Sequence, residues 1–165
     1  MIDTFMILAE FSIGLAGFSG VVALIGNVPL DFLQFRVRNL LYAAFTPGFV
    51  ALCGILFLHL DLQTESVVRL TSAVFAGVMI FGLITGLRRL RRLDKEAWSL
   101  LSRGLFWFNM TVGPANILAQ CFSAAFHTPY AEAILVGGLI LALLSGAITF
   151  AHMVGLLIKD KYDTA

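Results

Sequence analysis

Charge is scarce in this sequence. Only 13% of its 165 residues are Asp, Glu, Lys or Arg, against 59% hydrophobic, where a soluble domain carries about a quarter charged residues. The shortage runs along the whole chain and excludes an ordinary water-soluble globule. Cysteine is nearly absent. Cys53 and Cys121 each lie in an apolar run, so they read as small packing residues rather than a disulfide or a metal pair. The three histidines form no HExxH or comparable signature, and the GxxG spacing near the N-terminus has no phosphate-loop context. No nucleophile–base spacing and no cofactor motif is present. The expectation is therefore no cofactor, no metal and no nucleic-acid partner, with an intramembrane enzyme built on the outer histidines and carboxylates the least favoured function. The first apolar run lacks a basic segment ahead of it, and it is long and glycine-patterned, so it reads as a retained helix rather than a cleaved leader. No polar stretch is long enough for a soluble domain, a repeat or a low-complexity linker.

What the chain has is apolar length. A membrane-crossing helix needs about 20 mostly apolar residues. Five stretches qualify: 5–26, 40–60, 67–87, 105–126 and 133–158. Pro29 and Pro129 close the first and fourth, since the residue before proline disfavours helix. The expected fold is an all-α polytopic membrane bundle of about five transmembrane helices in a single domain. Ten of the eleven Lys and Arg residues fall after the first span (Arg36, Arg38), after the third (Arg88, Arg89, Arg91, Arg92, Lys95, Arg103) or in the C-terminal tail (Lys159, Lys161). All three segments share one face of a five-span protein. The positive-inside rule then puts the N-terminus outside and the C-terminus in the cytoplasm; a bacterial inner membrane is taken as the default location. The segment 88–103 also repeats leucine at helical spacing between arginines, with Trp98 among them. Arg88, Arg89, Arg91 and Arg92 are the residues expected to bind anionic lipid on the cytoplasmic face, or a cytoplasmic partner. The plainer alternative is a basic topology signal that continues the third span.

Span one carries "AEFSIGLAGFSG" over residues 9–20. On a helical wheel Glu10, Gly14 and Gly17 share one small face, and Ser12 and Ala16 share another. Gly14, Gly17 and Gly20 are expected to admit neighbouring helices at close range. Glu10, about 8 Å inward from residue 5 by helical rise, is expected to face protein. Its expected partner is Arg69, the one cation on the outer side, in a buried charge pair.

Span four carries Asn109, Gly113, Asn116, Gln120, Ser123 and His127, spaced 4, 3, 4, 3, 4. That is one polar stripe through the membrane thickness, and lipid cannot face it. Gly138, Ala142, Ser145, Thr149 and His152 form a weaker companion stripe on span five, with His152 expected near the depth of Asn109. Pro47 and Pro114 predict kinks. The stripe is either interhelical hydrogen bonding inside the bundle or a water-lined path, within one protomer or around the axis of a homo-oligomer. Two functions correspond: a homo-oligomeric channel or pore lined by the seam, or a structural or regulatory subunit acting through its basic loop.

Overall fold

The computed structural model describes the backbone of residues 1–25, 30–60, 62–92, 102–126 and 128–163, with side-chain surroundings at 1–18, 37–60, 62–92, 102–126 and 128–155. Five helices fill these segments: α1 (Ile2–Ile25), α2 (Leu30–His59), α3 (Thr64–Leu90), α4 (Arg103–Ala125) and α5 (Ala131–Asp163). No strand is present among the described residues. The chain is an all-helical, multi-pass membrane bundle. Three described segments are long and apolar enough to cross a membrane: Val37–His59, Thr64–Leu90 and Ala131–Gly155. α4 is not among them, because Asn109, Asn116 and Gln120 lower its hydropathy.

Local sequence explains the helix ends. Ser102 precedes α4, and its Oγ accepts from the Leu105 amide at 3.4 Å, satisfying one of the open donors of a first turn. Glu65 sits in the first turn of α3, and Arg88 and Arg89 sit in its last, each on the side that the helix dipole favours. Pro47 and Pro114 lie inside α2 and α4, which run on past them.

Large apolar side chains cover the outside. Phe11, Phe18, Phe49, Leu56, Leu118 and Phe122 are all at least half exposed. Apolar surface on that scale belongs against lipid, not water. α2, α3, α4 and α5 form a ring of neighbours, and α1 leans on its outside against α2 and α5. The two ends of this bundle differ. At the end holding the start of α1, Phe5, Leu8, Val50, Phe75, Leu135 and Leu139 make a filled apolar core. Phe5 packs over Gly54, where an added Cβ would meet its ring, and Ser12 packs over Gly48 in the same way. The other end holds Arg38, Arg88 and Arg89, and there the ring stays open around a cavity. The bundle is solid in one half and hollow in the other.

Candidate functional site

Helical spacing puts Asn109, Asn116, Gln120 and Ser123 on one side of α4, and α5 supplies partners to each of these four. The Asn116 Nδ2 donates to the Gly138 carbonyl at 3.0 Å. The Gln120 Nε2 donates to the Ile134 carbonyl at 3.0 Å and to the Asn116 Oδ1 at 3.2 Å. The Ser123 Oγ donates to the Ala131 carbonyl at 3.4 Å and accepts from the Ser72 Oγ of α3 at 3.3 Å. The Ser145 Oγ donates to the Asn109 Oδ1. Gln120 and Ser123 have no exposed surface, and Asn116 has almost none. Gly138 permits this arrangement, because a Cβ there would run into both the Gln120 amide nitrogen and the Asn116 oxygen. The Gln120 Oε1 is buried with no hydrogen-bond partner.

The same antiparallel register sets depth along α5. Asn109 lies opposite Ser145 and Asn116 opposite Gly138, which carries His152 to the level of Ser102. The expected match of His152 with Asn109 is corrected by two helical turns. Helix α5 runs to Asp163, past the end at 158 that the apolar run suggests.

Beside this seam lies a cavity of about 590 Å³, bounded by α2, α3, α4 and α5 at the arginine-rich end. Its polar lining includes Tyr42, Thr46, Asn109, Asn116, Ser145 and Thr149, with Asn39, Thr85 and Ser102 beside them. Arg38 and Arg89 also line it, and both side chains are exposed. The Thr149 hydroxyl donates to the Ser145 carbonyl at 2.8 Å. The Tyr42 hydroxyl donates to the Val78 carbonyl, and Gly82 leaves room for the Tyr42 ring. Gly86 and Gly113 border the cavity with nothing near their missing side chains. The seam thus changes character along α4. Asn109 and Gly113 border open volume, Asn116 stands at the floor, and Gln120 and Ser123 lie beyond it, bonded and sealed.

Other expected site residues fall elsewhere. Glu10 and Arg69 are both exposed. The Arg69 Nε donates to the Ala124 carbonyl at 3.1 Å. The expected buried Glu10–Arg69 pair is corrected: α1 packs through Phe5, Leu8, Ala9, Ser12 and Ala16, which turns Glu10 outward, and its neighbours are α2 and α5 rather than α3. Gly14 and Gly17 are exposed, and a Cβ on either meets nothing within 4 Å. They therefore do not pack helices in this chain. Of the two small faces on α1, only the one with Ser12 and Ala16 is buried. The surroundings of Gly20 lie outside the described residues, as does His127. Arg88, Arg89, Arg91 and Arg92 are exposed at and just beyond the end of α3, while Lys95 and Trp98 lie outside the described residues. Among the described residues, no three His, Cys, Asp or Glu side chains converge as a metal site.

Sequence reasoning missed the bridge from Tyr42 to Val78 and the cavity it borders. A signal was present: a tyrosine inside an apolar span must find its hydroxyl a partner. Comparisons with protein-family models, with curated proteins and with solved structures find no match.

Proposed function

We propose that this membrane protein works through its cavity, receiving a ligand from the arginine-rich end along a seam whose far half is closed. The observation that carries this is the change along one stripe of α4. A purely cohesive seam needs bonded, buried positions throughout, yet Asn109 and Gly113 border about 590 Å³ of open volume. Cavities of about 300–1,000 Å³ with apolar walls and a few convergent polar groups are the usual form of small-molecule sites. By the positive-inside rule the open end faces the cytoplasm. A face-to-face channel requires Gln120 and Ser123 to surrender their bonds to α3 and α5, so the closed half acts as the gate of any conducting state. The stripe turns toward α3 and α5 of its own chain. A path lined by it runs inside one protomer, and homo-oligomerisation multiplies such paths without creating one.

Single cysteines at Asn109, Gly113, Asn116, Gln120 and Ser123, in a Cys53→Ala, Cys121→Ala background, test this in lipid nanodiscs. Asn109→Cys and Gly113→Cys are expected to react with a water-soluble maleimide, and Gln120→Cys and Ser123→Cys to stay protected. Reaction at all five positions supports an open channel instead. Protection at all five leaves only a cohesive seam.

A second role is favoured by the exposure of Arg88, Arg89, Arg91 and Arg92 at one helix end. Each such cation near an anionic leaflet contributes about 1 kcal/mol of attraction. As a regulatory subunit, the protein would use this collar to hold anionic lipid or a cytoplasmic partner. Replacing Arg88, Arg91 and Arg92, which are not among the residues lining the cavity, with Gln then abolishes that association while leaving the labelling of Gly113→Cys unchanged.

A further inference from the structure

The chemistry of the cavity narrows its ligand. Among the described residues, two cations line it, Arg38 from α2 and Arg89 from α3, and no acidic side chain does. The rest of that wall is mostly apolar, with Met79, Leu83, Leu105, Phe106, Met110 and Ile117 prominent. The rim also meets the apolar exterior. Phe45 and Phe81 line the cavity, yet they are 56% and 65% exposed, and both lie within segments apolar enough to cross a membrane. A ligand entering here meets arginines at one end, hydrocarbon at the side and a sparse polar stripe within.

A small hydrophilic anion would leave the apolar wall unused and lose hydration to it. A neutral apolar molecule would make no use of the guanidinium groups. The charge and the wall are both matched by a molecule with an anionic head and one apolar chain, since arginine binds carboxylate or phosphate oxygens in a planar fork. Resting on the reading of the cavity as a ligand site, we propose that it binds a single-chain anionic amphiphile, with the carboxylate or phosphate head at Arg38 and Arg89 and the chain along Met79, Leu105 and Met110.

The test uses the full chain in phosphatidylcholine nanodiscs and native mass spectrometry of retained adducts. The probes are oleate, oleoyl lysophosphatidate, oleoyl lysophosphatidylcholine and butyrate. Two changes separate charge from space. Arg38→Gln with Arg89→Gln removes the cations. Gly113→Leu fills the cavity from a position where an added Cβ meets nothing within 4 Å, and Gly86→Leu does the same from α3 should the first variant lose its helical circular dichroism. Oleate and lysophosphatidate are expected to bind roughly tenfold or more tightly than lysophosphatidylcholine, a difference of the size that charge-assisted hydrogen bonds supply. The arginine double variant is expected to bring them down to the lysophosphatidylcholine level, and the filled cavity to remove all three. Butyrate is expected to leave no adduct. Equal retention of the zwitterionic and anionic probes, lost on filling, overturns the anionic class while the cavity remains a ligand site. Butyrate held as well as oleate points to a free soluble anion and overturns the amphiphile. Adducts untouched by either filling variant overturn the cavity reading itself.

Discussion

Gly138→Leu is expected to destabilise the bundle by about 3 kcal/mol or more, while Gly137→Leu at the neighbouring residue stays within about 0.5 kcal/mol of the parent. The two glycines differ in what surrounds them, not in helix chemistry. A Cβ at Gly137 meets nothing within 4 Å, whereas one at Gly138 runs into the Gln120 amide and the Asn116 oxygen. Neither side chain can step aside cheaply, because Gln120 has no exposed surface and both are tied to carbonyls of α5. A leucine there overpacks the interface and leaves amide groups unpaired in an apolar interior, where each unpaired group is costly. Unfolding in mixed detergent followed by far-ultraviolet circular dichroism measures both variants. Similar midpoints for the two would mean that α4 and α5 do not meet at this register.

The second large effect lies at the other end of the bundle. Gly82→Leu is expected to cost about 2–4 kcal/mol, because the Tyr42 ring occupies the space that the new side chain needs. The displaced ring also loses its bond to the Val78 carbonyl, which holds α2 to α3 beside the cavity. Two milder changes rank below it. Tyr42→Phe removes the hydroxyl and keeps the ring, for about 1 kcal/mol. Gly86→Leu, one turn along α3 in open space, is expected to be nearly neutral and to gain slightly in helix propensity. The same unfolding assay orders the three. Gly82→Leu as mild as Gly86→Leu would remove the Tyr42 contact from this description of the fold.

Much of this architecture was legible in the sequence, for a simple reason. Hydrophobic length and polar spacing are local properties, and a helix converts them directly into faces. The stripe from Asn109 to Ser123 and its companion from Gly138 to Thr149 lie on single faces because their residues recur every three or four positions. Polar groups in hydrocarbon then have little choice but one another. Which small face meets a neighbour is a different matter. Gly14 and Gly17 sit in a pattern that suits close packing, yet they face outward, while Gly54, Gly82 and Gly138 carry the close contacts. Spacing on one helix does not say where the next helix lies, and the positions of α1 and α3 separated Glu10 from Arg69 for the same reason. The cavity was the least legible feature. It exists where four helices fail to touch, a property of their mutual placement that no single stretch of residues encodes. Its only local traces were Tyr42 in an apolar span and the open glycines, Gly86 and Gly113, across from it.

Sidedness decides whether the cavity opens at one end. Gly113→Cys, alone in a background without Cys53 and Cys121, is labelled with a membrane-impermeant maleimide in sealed vesicles, beside Arg92→Cys and Tyr130→Cys as reporters of the two ends. These two reporters lie at opposite ends of the bundle, just after α3 and just before α5. Labelling of Gly113→Cys only from the side that labels Arg92→Cys is the expected result. Labelling from the Tyr130→Cys side, from both sides or from neither would contradict a cavity open at the arginine-rich end and closed by Asn116, Gln120 and Ser123.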